Sequence, residues 1–207
     1  VDERLHRPRA PSGHGIVLTH GAGGSAEAPL LVALGEAFAG AGLTALRYDL
    51  PYRQASATAP PRPAGAVRDR DGLRGAVAAM RERVSGRVFL GGQSYGGRQA
   101  SILAAGEPGL VDALLLLSYP LHPPRRPTEL RTAHLPGLAT PALFAHGSRD
   151  PFGTLEEIEA ARGLIPARTA LMAVEGAPHD LRRAPGRRGA GLAAEIAAAF
   201  LAFVERA

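Results

Sequence analysis

The chain has 207 residues, is 45% hydrophobic and carries a formal net charge of +5, enough apolar material for a single domain over residues 1–207 with its own core. It contains no cysteine, which excludes disulfides, thiolate metal sites and cysteine nucleophiles. All 24 basic residues are arginine, with neither lysine nor asparagine present. Arginines scattered through an Ala-, Gly- and Pro-rich sequence read as a solvated surface, so no nucleic-acid partner is expected, even with the cluster Arg182, Arg183, Arg187 and Arg188.

The stretch Val1–Gly13 is charged and proline-containing, without the apolar segment of a signal peptide. No run reaches the length of a transmembrane helix. A soluble, cytoplasmic protein with no membrane contact is expected.

Gly15–Thr19 is the first run of strand character, and it leads into His20-Gly21-Ala22-Gly23-Gly24-Ser25 before a helix expected over Ala26–Ala39. Gly21, Gly23 and Ala26 fit the G-x-G-x-x-G/A spacing of a dinucleotide-binding turn, with Asp49 beyond the next strand, Leu43–Tyr48, as the ribose acid. A competing reading makes this a turn whose small residues let the backbone approach a reacting oxygen; Asp49 then caps a helix or pairs with Arg47 or Arg53. The proline-rich segment Pro51–Asp71 follows that strand's carboxyl end as a long loop, then a helix is expected over Gly72–Val84.

Arg87–Gly91 is the next strand, and the helix Tyr95–Ala105 follows. Between them, Gly92-Gln93-Ser94-Tyr95-Gly96 lies at a strand-to-helix turn. A serine there is held on a sharp, strained turn with its hydroxyl exposed, and side chains at 92 and 96 would crowd it. The helix N-terminus offers the Tyr95 N–H as one oxyanion donor; the turn after the first strand offers a second, from Gly21 or Ala22.

A serine hydroxyl needs a histidine base, and the histidine needs a carboxylate to orient it. Ala113–Ser118 is a strand ending without an acid, followed by the proline-broken segment Tyr119–Pro141. The strand Ala142–His146 runs into Gly147-Ser148-Arg149-Asp150-Pro151, placing Asp150 just past a strand end. After a helix over Leu155–Arg162, the strand Ala170–Val174 leads into Glu175-Gly176-Ala177-Pro178-His179, and a last helix is expected over Gly191–Arg206. Serine, acid and histidine thus come in the order Ser94, Asp150, His179. Strands alternating with helices give an α/β domain: a mostly parallel sheet of six or seven strands with helices on both faces.

Several segments together are more specific than any one turn. They are Thr19-His20-Gly21-Ala22-Gly23-Gly24, Tyr48-Asp49-Leu50-Pro51-Tyr52, Gly92-Gln93-Ser94-Tyr95-Gly96-Gly97-Arg98, Tyr119-Pro120-Leu121-His122-Pro123-Pro124, Leu130-Arg131 with His134-Leu135-Pro136, and Arg149-Asp150-Pro151-Phe152-Gly153. On these the chain resembles a small branch of α/β-hydrolases, which includes testis-expressed and NSL-complex-subunit hydrolase-like proteins and bacterial relatives grouped with dienelactone hydrolases. The resemblance implies an α/β-hydrolase core carrying Ser94, Asp150 and His179, without fixing a substrate. Few residues precede the first strand, so one or both leading antiparallel strands are expected to be missing. The segment Tyr119–Pro141 is too short for a cap domain.

The expected chemistry is hydrolysis of a carboxylic ester, thioester or amide through an acyl-enzyme. A small acyl compound is the partner, and neither metal nor organic cofactor is required. A non-catalytic interaction module and an acyltransferase are the alternatives. His20, Tyr52, His122 and Phe152 are expected to line the substrate pocket, with Tyr95 and Leu121 as further walls. Arg53, Arg98 or Arg149 could hold an anionic group, and His134 and His146 are expected to be structural.

Overall fold

Six strands form the parallel part of one sheet: β2 (Gly15–Thr19), β3 (Thr44–Tyr48), β4 (Val88–Gln93), β5 (Ala113–Leu117), β6 (Ala142–Gly147) and β7 (Thr169–Val174). The computed structural model describes residues 4–182 and 191–205. Arg183, Arg187 and Arg188 of the basic cluster, and Arg206 of the expected last helix, lie outside the described residues. A seventh strand, β1 (Leu5–His6), pairs antiparallel with β3 at the sheet edge, giving the order β1-β3-β2-β4-β5-β6-β7. Among the described residues this two-residue strand is the only leading antiparallel strand. One leading antiparallel strand is therefore present.

The central strands are buried on both faces. Leu114 and Leu116 of β5 face the core beneath α3 (Ala66–Arg81), α4 (Tyr95–Gly106) and α5 (Leu155–Arg162). Leu115 and Leu117 face the core beneath α1 (Pro29–Gly40) and α6 (Leu192–Glu205). The period-two alternation of a strand sends successive leucines to opposite layers. Helix α1 starts later than Ala26 because Pro29 sits in its first turn, where a missing N–H costs nothing.

Pro51–Asp71 departs most from expectation. It holds a five-residue helix, α2 (Pro51–Ala55), a single 3-10 turn at Pro63–Gly65 and the first turns of α3. The buried face of α3 is Asp69, Leu73, Ala76, Val77 and Met80. A carboxylate occupies the first position of that stripe, so the apolar period is visible only from Leu73 onward. Among the described residues, no helix is long and apolar enough to cross a membrane.

After β2 the chain moves outward to β3, then returns to place β4 on the other side of β2. The carboxyl ends of β2 and β4 therefore flank the point where strand order reverses, which in open α/β sheets is the ligand crevice.

Candidate active site

Ser94 alone separates β4 from α4, at φ 50° and ψ −115°. A non-glycine residue there costs about 1–3 kcal/mol and persists only where its surroundings hold it. They do so here. The Ser94 N–H donates to the Leu117 carbonyl (2.8 Å) and its own carbonyl accepts from the Arg98 N–H (2.9 Å). The turn also presses on the loop after β2: a Cβ at Gly96 would fall 2.5 Å from the His20 carbonyl oxygen.

The Ser94 hydroxyl lies 2.8 Å from His179 Nε2, and His179 Nδ1 lies 2.7 Å from Asp150 Oδ2. With a carboxylate on Nδ1, that nitrogen carries the proton and Nε2 accepts from the serine. The Asp150 side chain is fully buried; its Oδ1 accepts the Phe152 N–H at 2.9 Å. His146, fully buried, donates from Nε2 to the Gly153 carbonyl (2.8 Å) and stands 3.5 Å from Asp150 Oδ2. Burial holds its pKa below the usual imidazole value, so it buttresses the loop as a neutral ring. Phe152 stacks on the His179 ring, centroids 4.2 Å apart and tilted by 31°.

The loop after β2 is tied down from behind. The Gly21 carbonyl accepts from His20 Nδ1 (2.8 Å), the Tyr52 hydroxyl (3.1 Å) and the Gly24 N–H (3.0 Å). The Ala22 carbonyl accepts from the Tyr52 hydroxyl (3.0 Å) and Arg53 Nη2 (3.1 Å), and the Gly24 carbonyl from Arg53 Nε (2.8 Å). The Gly21–Ala22 peptide is trans, so a carbonyl fixed toward Tyr52 sends the Ala22 N–H the opposite way. Ala22 and Tyr95 both line the cleft at Ser94. As the first residue of α4, Tyr95 has an N–H without an intrahelical acceptor. The backbones of Ala22 and Tyr95 thus both border the cleft that holds the Ser94 hydroxyl.

The cleft measures about 480 Å³, and Ser94, His179, Phe152, Pro120, Arg98 and Arg131 contribute to its wall. Of the four residues expected to line it, only Phe152 does. His20 is completely buried, its Nε2 accepting the Leu50 N–H at 3.1 Å. Tyr52 spends its hydroxyl on loop carbonyls, with its ring edge-on to His20 and Tyr95. His122 is buried, bound to the Pro123 carbonyl (2.9 Å) and 3.3 Å from the Glu157 carboxylate. Leu121 belongs to the core. Each was expected in the wall because it follows a strand end, yet a residue at a strand end can equally turn inward and brace the loop.

The remaining expectations resolve similarly. Asp49 is buried, accepts the Ala26 N–H (2.6 Å) and pairs with Arg4 (2.6 Å), so it caps the loop before α1 and has no free face for a ribose. Arg53 is occupied by carbonyls, and Arg149 is exposed outside the cleft. His134 is structural, 2.8 Å from the Ser101 hydroxyl. Asp69 went unnoticed in the sequence: 1% exposed, it accepts the Tyr95 hydroxyl (2.7 Å) and the Tyr52 N–H (3.1 Å), joining the two tyrosines beneath the site. Its one sequence signal is a leading acid in line with the Leu73–Met80 stripe. Among the described residues, no three His, Asp or Glu side chains are grouped to hold a metal.

Compared with known proteins, residues 12–205 match a family described as alpha/beta hydrolase domain. Est1E from Butyrivibrio proteoclasticus is similar at a TM-score of 0.74 and 17% identity, over 98% of this chain and 93% of that one. A dienelactone hydrolase from Anabaena variabilis is similar at 0.70 and 23%, over 98% and 89%. A serine hydrolase without a lid from Xanthomonas campestris is similar at 0.71 and 16%, over 98% and 87%. At these identities the likeness is one of fold.

Proposed function

This chain belongs to the α/β-hydrolase domain family, and from that premise we propose that it is a cap-less serine esterase acting through Ser94, His179 and Asp150. The observation that carries the reading is the continuous relay from hydroxyl to imidazole to buried carboxylate, at 2.8 Å and 2.7 Å. Ser94 Oγ attacks the ester carbonyl as its proton passes to His179 Nε2. Asp150 holds Nδ1–H and stabilises the imidazolium that forms. The negative oxygen of the tetrahedral intermediate sits against the amides of Ala22 and Tyr95, with the neighbouring Gly21 amide as the alternative first donor. Collapse expels the alcohol, which takes the imidazolium proton, and leaves an acyl group on Ser94. Water then enters, gives a proton to His179 and attacks the acyl carbon. Release of the acid returns that proton to Ser94. Every proton in this cycle is carried by His179, and the reactants besides the chain's own groups are the ester and one water.

The substrate class is supported by the likeness in fold to an esterase domain from Rhodothermus marinus, at a TM-score of 0.69 and 16% identity. A fluorophosphonate probe tests the nucleophile. Wild-type protein is expected to become labelled at Ser94 while Ser94→Ala does not. Equal labelling of the two, or none, contradicts the proposal.

A further inference from the structure

The cleft beside Ser94 contains two guanidinium groups and no carboxylate partner for either among the described residues. Arg98 lies one helical turn past Ser94 on α4 and lines the cleft; its Nε is buried without a hydrogen-bond partner. Arg131 reaches the same cleft from the loop after β5, where its Nη1 donates only to the Pro120 carbonyl at 3.2 Å. Other arginines find partners that these two lack: Arg74 pairs with Glu107 and Asp71, Arg126 with Glu129 and Arg162 with Glu159, while Arg53, Arg87 and Arg168 donate to backbone carbonyls.

The charge of Arg98 is felt at Arg131 and at His134. Burial and then the charge of Arg98 lower the Arg131 pKa. Burial and then Arg98 also push the His134 imidazole down to about 4, so that ring stays neutral and adds no charge. Asp180, a carboxylate on the cleft wall, is taken by Arg182 at 2.5 Å; Asp150 is committed to His179. Two half-buried cations side by side without a counter-ion repel each other. A planar fork of N–H donors beside a second one is well suited to an oxyanion, which would relieve that repulsion on binding.

We infer that Arg98 and Arg131 form an oxyanion subsite of the Ser94 cleft, so that the preferred substrates are esters carrying a carboxylate or phosphoryl group near the scissile bond. This deepens the esterase reading and rests on it for the word substrate, whereas the anion site itself does not.

The test separates the two. In Ser94→Ala protein, glutarate is titrated by calorimetry, with inorganic phosphate in a parallel arm that tells carboxylate from phosphoryl preference. Saturable binding of at least one is expected, weakened about 10-fold or more in Arg98→Gln and in Arg131→Gln, the usual loss with a charged hydrogen-bond donor. Arg98→Lys, which keeps charge without the fork, is expected to lie between. Thermal melts confirm that each variant is folded. In protein with Ser94 intact, kcat/KM for 4-nitrophenyl hemiglutarate is divided by that for neutral 4-nitrophenyl pentanoate. A wild-type ratio well above one that falls about 10-fold in either glutamine variant supports the subsite. Failure of both anions to bind folded Ser94→Ala, or binding and ratios that both variants retain, overturns it. Arginine-dependent anion binding with Ser94 inert to the fluorophosphonate overturns the esterase reading alone.

Discussion

Replacing Tyr52 by phenylalanine removes one hydroxyl and keeps the ring against His20 and Tyr95. That hydroxyl has one proton, shared between the Gly21 carbonyl at 3.1 Å and the Ala22 carbonyl at 3.0 Å. Gly21 retains His20 Nδ1 and the Gly24 N–H; Ala22 retains Arg53 Nη2. The loss is therefore one neutral hydrogen bond, about 1 kcal/mol of folding stability. The Ala22 amide is loosened, not lost. Since removing an oxyanion donor outright costs about 10²–10³ in rate, a loosened one is expected to cost about 10-fold in kcat. Adding Arg53→Met strips the second side-chain donor from the Ala22 carbonyl and moves the loss toward about 10². Steady-state kinetics on a neutral aryl ester reads the difference. A positioning residue lowers kcat at nearly constant KM, whereas a lost substrate contact raises KM and spares kcat. Wild-type kcat with raised KM in Tyr52→Phe would refute the positioning argument and return Tyr52 to the pocket wall.

Asp150→Asn is expected to keep the fold, because an amide oxygen can still accept the Phe152 N–H. It presents an NH2 to His179 Nδ1, turns the imidazole to the wrong tautomer and should lower kcat by about 10³–10⁴; a loss under about 10-fold would contradict the relay. Acid should weaken the folded protein through its buried histidines. The His134 pKa is lowered from 6.5 to about 4, so below pH 6.5 the unfolded chain takes up a proton that the folded chain refuses, and stability falls with pH until about pH 4. Between pH 6.5 and 5 this half-buried ring accounts for on the order of 1 kcal/mol once solvent screening is allowed for. Urea unfolding of His134→Gln at pH 7 and pH 5 should therefore show a smaller loss on acidification than wild type, and equal losses would contradict the assignment.

The sheet and the triad geometry were legible because their signals are local. The central strands β2, β4, β5 and β6 are buried along nearly their whole length and read as apolar runs; Ser94 follows one such run directly, and Asp150 and His179 lie on the loops just after β6 and β7. What escaped the sequence depends on tertiary partners. Strand β1 is two residues long and exists by pairing with Leu46 and Ala45 of β3. Helix α2 is held by side-chain bonds from Tyr52, Arg53 and Asp69 that no periodicity announces. His20, Tyr52 and His122 were placed correctly at strand ends but assigned the wrong direction. Sequence shows which loop a residue occupies; whether its side chain meets the cleft or braces the backbone is decided by the carbonyls left behind it. Arg131 came into the site the same way, from a proline-broken loop whose course the sequence did not fix.

Trapping the acyl-enzyme tests the central claim most directly. Protein mixed with 4-nitrophenyl acetate and quenched in acid within the first turnover should carry one acetyl group on the peptide containing Ser94, with a burst of nitrophenol equal to the enzyme present. An acetyl group elsewhere, or nitrophenol release at an undiminished rate from Ser94→Ala, would contradict it.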